Sequence, residues 1–368
     1  MKPMKDLSLY IHIPFCKSRC AYCGFITFAE KDCMINNYIH SLIAEIRERA
    51  KDHKEYTIVS IYFGGGTPSH PSADIIVKIL KTIKENFKVT KNAEITIESN
   101  PESLNEEKII QYKEAGFNRL SIGIQSLNNK TLKCIGRTHN KTTAVKAIIA
   151  AKKHFKNYSL DFIIGLPYQN ITNFTKQLNE IVLYNPSHLS FYFLSPDNDK
   201  IKSFIKDCPT EEQQIKIYEL LTKRLKKEGY KHYEVSNYAK PGHQCRHNLR
   251  YWEQKEYLGL GLAAHSFIND TVHENEKSLN KYIKKPLARD SALHLDSELK
   301  KMDYVMMCLR TNRGINKSEF RKKFGNINQL LQNAEPYIES KKLINNSTNI
   351  RISQKGVLIL DKIIDDLI

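Results

Sequence analysis

Residues 8–23 read SLYIHIPFCKSRCAYC, and this stretch decides how the rest of the chain is understood. Residues 8–13 are a short aliphatic and aromatic run of strand character. Cys16, Cys20 and Cys23 follow at C-x3-C-x2-C spacing in what reads as a loop. Three thiolates satisfy three irons of a [4Fe–4S] cubane, whereas a fully protein-ligated cluster uses four cysteines. A tetrahedral zinc site would also want a fourth ligand. His12 is the one nearby candidate, but it lies within the predicted strand, where half of the pleat arrangements turn it away from the loop. An iron with no fourth cysteine is open to the amino and carboxylate groups of a methionine moiety. An electron from such a cluster could then break the sulfonium C–S bond of that molecule.

Working outward, five more runs have strand character, at 58–63, 94–98, 119–124, 159–164 and 188–193. Helix-period segments separate them, clearest at 37–50, 73–87, 105–115, 142–154 and 173–183. Strands alternating with helices at this spacing predict βα units and a parallel sheet. Six repeats without a seventh and eighth predict an α/β fold of partial (β/α)6 barrel type. Such sheets carry their chemistry on loops at the C-terminal ends of the strands. The cysteine loop follows the first strand, and Gly64-Gly65-Gly66-Thr67-Pro68 follows the second. Glu98-Ser99-Asn100-Pro101 ends the third, and Gln125-Ser126 follows the fourth. Gly165-Leu166-Pro167 follows the fifth, which itself carries Asp161. Five separate segments therefore converge on one rim. The glycines let backbone N–H groups approach a ligand closely. Glu98 can accept hydrogen bonds from an amino group or a ribose hydroxyl, and Gln125, Arg137 and Asp161 add polar groups. Structural alternatives exist for two of these: Arg137 pairing with a barrel carboxylate, and Asp161 capping the next helix.

Beyond the sixth strand a helix is predicted over 211–228, then a polar, aromatic-rich stretch over 233–267 and a charged segment to about 291. Helical patterns at 297–310, 317–324 and 327–340, a hairpin over 343–352 and a last helix over 355–368 predict a small winged-helix-like domain. The expected organisation is a barrel over 1–235, a connecting segment over 236–292, and the C-terminal domain over 293–368. A winged helix invites a DNA-binding reading, but its second helix and hairpin lack a dense Arg/Lys face, so no nucleic-acid partner is expected. The formal charge of +17 fits a pull on anionic partners or lysine-rich solvated helix faces. No run of 18 apolar residues occurs, and the N-terminal apolar run is broken by His12 and Pro14. These features predict a cytoplasmic protein. Of eight cysteines only the first three cluster, and scattered ones are usually buried apolar thiols.

The C-x3-C-x2-C run with an aromatic residue, Tyr22, before its last cysteine resembles the signature of the radical S-adenosylmethionine superfamily. SLYIHIPFC, YFGGGTPS, ESNPE, RLSIGIQSL, GRTHN, LDFIIGLP and YEVSNYAKPGHQCRHNLRYW resemble its coproporphyrinogen dehydrogenase-like branch, which includes heme chaperones. The resemblance implies a [4Fe–4S] cluster on Cys16, Cys20 and Cys23. It also implies S-adenosylmethionine against Tyr10, Gly65 and Glu98. Tyr22, Gly66, Thr67, Gln125, Arg137 and Asp161 match positions that contact a second such molecule in the resembling dehydrogenase. That dehydrogenase has another cysteine two positions after the third, where this chain has Phe25, and a longer N-terminal extension. Both differences favour the chaperone type. There the H-N-x-x-Y-W run, here His247 to Trp252, is associated with heme, which makes His247 the expected heme-binding residue and Cys245 the alternative. The competing structural reading has His247 and Asn248 hydrogen-bonding to hold the segment on the barrel. The expected partners are heme or porphyrin and heme-accepting client proteins, with clients at the membrane surface and a homodimer left open. An oxygen-independent coproporphyrinogen III dehydrogenase and a radical methyltransferase remain the rival functions. Two departures, Gly24 in place of an aspartate and LSPDNDK after the sixth strand, touch the substrate-facing loops.

Overall fold

The computed structural model describes residues 4–195 and 199–368. Six strands build the barrel wall: β1 (Lys5–Ile13), β2 (Tyr56–Gly65), β3 (Val89–Ser99), β4 (Arg119–Gln125), β5 (Tyr158–Ile164) and β6 (His188–Phe193). They pair in parallel in that order. Helices α1 (Ile35–Lys51), α2 (Ala73–Asn86), α3 (Glu106–Ala115), α4 (Lys141–His154) and α5 (Ile171–Tyr184) connect them. The expected partial barrel is present.

Alternation along each strand explains the curved wall. Leu7, Leu9, Ile11 and Ile13 of β1 belong to the buried core, as do Ile61 and Phe63, Ile95 and Ile97, Leu120 and Ile122, Leu160 and Phe162, and Leu189 and Phe191. The residues between them (Ser8, Ser60, Glu94, Arg119, Ser159 and His188) are buried but polar. Side chains of a strand alternate between faces, so one face packs on helices and the other lines a polar lumen. Hydrogen bonds link part of the lumen, while Arg119 Nε and Nη1 are buried without one among the described residues. Ser60 donates to Ser8 at 2.8 Å, and Ser121 and Ser159 donate to the two oxygens of Asp161 at 2.9 and 2.7 Å.

The sheet extends beyond these six strands. After helix α6 (Glu211–Lys227), β7 (Lys231–Glu234) and β8 (Asn237–Ala239) add antiparallel pairs beside β6. On the other side β9 (Tyr257–Leu260) pairs in parallel with β1, and β10 (His265–Ile268), β11 (Thr271–Asn275) and β12 (Arg289–His294) continue antiparallel. The sheet has twelve strands, seven of them parallel. The stretch expected as a connecting segment, 236–292, thus contributes four whole strands, the start of a fifth and two helices, α7 (Arg246–Trp252) and Leu279–Lys284, to the barrel unit. Their short length and polar content hide them: β12 is exposed throughout and has no apolar alternation. Buried Glu45 on α1 bolts this extension in place, accepting from Gly261 N (2.8 Å), Asn275 Nδ2 (2.8 Å) and the Tyr282 hydroxyl (2.7 Å). Burial pushes its carboxyl up to about 7 despite those donors.

A second core forms the C-terminal unit from α8 (Ser297–Leu309), α9 (Lys317–Phe324) and α10 (Asn328–Glu339), with a three-stranded sheet that includes the hairpin Leu343–Asn345 and Asn349–Ile352. The last helix is broken into Gln354–Val357 and Leu360–Leu367. No helix among the described residues is long and apolar enough to cross a membrane. Pro196, Asp197 and Asn198 of the LSPDNDK stretch lie outside the described residues.

Candidate cofactor site

A cavity of about 430 Å³ opens at the C-terminal ends of the strands. Cys16, Cys20 and Cys23 line it together with Tyr22, Gly65, Gly66, Thr67, Glu98, Gln125, Arg137 and Asp161. The convergence expected from five separate segments is therefore met for these residues. Tyr10 lies behind this lining, its ring 6.4 Å from that of Tyr62 and its hydroxyl 3.1 Å from His12 Nδ1.

Local geometry fixes the cysteine loop. Phe15–Cys16 pairs with Phe28–Ala29, closing the loop at its base. The Thr67 hydroxyl donates to Cys16 Sγ at 3.4 Å, and an Arg137 NH1 donates to Cys20 Sγ at 3.8 Å. Ala21 N donates to Ile135 O at 3.1 Å. Arg137 is anchored from the other side, giving 2.8 and 2.7 Å bonds to Asn100 Oδ1 and Gly123 O and lying 3.7 Å from Glu102. It thus has the barrel-carboxylate partner weighed as its structural alternative and also reaches the cluster loop. Burial opposes the charge on Glu102, but the His139 hydrogen bond and the Arg137 charge win and hold its carboxyl down at about 2. Asp161 caps no helix. Its carboxylate is spent on Ser121 and Ser159 at the cavity wall.

Burial pushes the Cys16 thiol up to about 11. Metal binding takes the thiolate, so loading the loop releases protons. Among the described residues no three His, Cys, Asp or Glu side chains converge on a single metal ion.

The glycine run also has a packing role within the fold. A Cβ on Gly65, whose φ is +112°, would stand 2.6 Å from the His12 ring, and one on Gly66 would stand 2.8 Å from the Pro14 carbonyl carbon. These glycines let β2 and its turn close against β1 and the root of the cysteine loop. Gln125 also holds a left-handed conformation, with φ +65°, at a register shift in β4. Non-glycine residues seldom adopt it, and such strain gathers at functional sites.

Sequence reasoning passed over Tyr62, Asn100 and Tyr192, which line the same cavity. The first two stood inside motifs already singled out, YFGGGTPS and ESNPE. Their alternation with core residues marks Tyr62 and Tyr192 as lumen-facing.

His247 departs furthest from expectation. It is fully buried at the opposite, N-terminal end of the lumen, where α7 plugs the barrel. Its Nδ1 lies 2.9 Å from Ser60 Oγ and its Nε2 lies 2.8 Å from the Tyr251 hydroxyl. Its backbone N–H donates to Glu94 at 2.9 Å. Both ring nitrogens are thus engaged within the barrel, the arrangement expected of the competing structural reading in which this segment is held on the barrel. Cys245 is equally buried, 3.5 Å from Glu94 Oε1, and burial pushes its thiol up.

Comparison with known proteins agrees with this geometry. Residues 10–181 match the radical SAM superfamily and residues 303–359 match the HemN C-terminal domain. The heme chaperone HemW of Buchnera aphidicola subsp. Schizaphis graminum is 35% identical, over 99% of both chains. The chain belongs to the HemW family of radical SAM proteins. HemW of Haemophilus influenzae is 32% identical over 99% of this chain and 98% of its own, and that of Bacillus subtilis is 29% identical over 96% of each. Coproporphyrinogen III oxidase (HemN) of Escherichia coli shares the fold, with a TM-score of 0.88 at 23% identity over 99% of this chain and 90% of its own.

Proposed function

We propose that this HemW-family chain is a heme chaperone that holds a [4Fe–4S] cluster on Cys16, Cys20 and Cys23 and S-adenosylmethionine in the adjoining cavity. It would carry heme to cytochrome-type client proteins, including clients at a membrane surface. The carrying observation is the mixed lining of the cavity. It brings three thiols together with Phe25, Tyr192 and Phe193, 68%, 44% and 41% exposed. Exposed aromatic faces suit a flat apolar macrocycle. When bound, the cluster supplies an electron and an open iron for the methionine end of S-adenosylmethionine. This chain's residues do the positioning: Arg137 and Thr67 fix the thiols, and Glu98 offers a carboxylate.

Phe25 stands where the resembling dehydrogenase has a further cysteine. The cluster-loaded protein is therefore expected to bind heme stoichiometrically in an anaerobic absorption titration. With S-adenosylmethionine and a reductant present it should release no carbon dioxide from coproporphyrinogen III. Phe25→Asp should weaken heme binding and leave the cluster absorption unchanged. Turnover of coproporphyrinogen would replace the chaperone reading with the dehydrogenase one.

A further inference from the structure

We propose that Tyr62 and His247 are positioning residues for Glu98, so that α7 on the barrel floor sets the carboxylate that receives S-adenosylmethionine. The proposal rests on the reading of Glu98 as a contact of that molecule. It gives the H-N-x-x-Y-W run a task that does not involve heme ligation.

The geometry is a continuous line through the lumen. The Tyr62 hydroxyl donates to Glu98 Oε1 at 2.7 Å. The Tyr62 ring is flanked on β1 by Tyr10, 6.4 Å away and inclined by 20°, and on α7 by His247, 5.0 Å away and inclined by 26°. A tyrosine held between two rings cannot swing its hydroxyl off the carboxylate. His247 is itself fixed by three bonds, to Ser60, Tyr251 and Glu94. Ser60 gives its own proton to Ser8, so it accepts from His247 Nδ1, and Nε2 is left to accept from the Tyr251 hydroxyl. This single tautomer fits a neutral ring. Burial first, then the charges of Arg250 and Arg119, push the imidazole down to about 3.

The line ends on a carboxylate with a finely set charge. Burial and Asp161 push Glu98 up to about 7, while the Tyr62 hydrogen bond, the Gly65 N–H and the Arg119 charge pull it down. Tyr10, Tyr192 and Tyr251 also face it. An ionised Glu98 attracts the ammonium group of a bound methionine moiety, so binding should strengthen as pH rises through about 7. Removing the Tyr62 donor raises the Glu98 pKa and moves that rise to higher pH.

The test measures S-adenosylmethionine affinity of the cluster-loaded full chain by anaerobic calorimetry between pH 6 and 9, for Glu98→Gln, Tyr62→Phe, His247→Ala and His247→Phe. Tyr62→Phe removes one oxygen from a buried ring and should fold normally. It is expected to weaken binding about tenfold near neutrality, as loss of one hydrogen bond to a charged group does. Its pH midpoint should move up by about one unit. His247→Ala should shift the midpoint the same way, and His247→Phe, which keeps a ring against Tyr62, should restore much of it. Wild-type affinity and midpoint in Tyr62→Phe and His247→Ala, beside a weakened Glu98→Gln, would overturn the positioning line alone. Wild-type binding by Glu98→Gln would overturn the assignment of Glu98 and the line with it.

Discussion

Alanine in place of any one of Cys16, Cys20 or Cys23 is expected to abolish the brown charge-transfer absorption of anaerobically reconstituted protein. Each thiol holds one corner, and a cubane held at two corners is lost to solvent and reductant. Cys134→Ala and Cys308→Ala should retain the full absorption. Cys134 packs in a small cluster with Ile135 and Ile163, and Cys308 packs against the C-terminal core. The measurement is iron and sulfide content beside the absorption spectrum. Equal loss from both groups of variants would show that the scattered cysteines take part.

Gly65→Val should be nearly as damaging, through a different route. At φ +112° a β-branched residue is strained, at about 1–3 kcal/mol for the backbone alone. The added side chain also meets the His12 ring at 2.6 Å. His12 cannot retreat freely, because its Nε2 is bonded to Ile26 O at 3.2 Å in the segment that closes the cysteine loop. The strain is therefore passed to the loop. Thermal denaturation should show a lowered midpoint, and reconstitution should yield less cluster. Gly24→Ala is the matched control, since a Cβ there meets nothing within 4 Å. A stable Gly65→Val protein that loads fully would mean that the turn relaxes without touching β1.

The barrel was legible because its strands carry two messages at once. Leu9, Ile11 and Ile13 announce a helix-facing side, and the motif residues fall at the strand ends where parallel sheets place their chemistry. The cavity lining followed from that rule, except for side chains such as Tyr62 that look like ordinary strand aromatics. What stayed hidden depends on contacts distant in sequence. Ser60 and His247 are 187 residues apart, and nothing local in RHNLRYW says that its helix plugs a lumen. The extra strands β9 to β12 are short, and β10 to β12 are largely polar or exposed, so they carry little of the periodicity that reveals a strand. The glycine run shows both cases. Its place after a strand is plain in the sequence, whereas its close approach to His12 and to the chain at Pro14 is visible only in the fold.

The claim on which the account turns is that a cluster on three cysteines leaves one iron open to the cavity. Electron paramagnetic resonance of the reduced, reconstituted protein with and without S-adenosylmethionine tests it most directly. Binding of the amino and carboxylate groups to the open iron predicts a changed g-tensor at saturation, absent when methionine-free adenosine is added instead. A spectrum unmoved by saturating S-adenosylmethionine would contradict the claim.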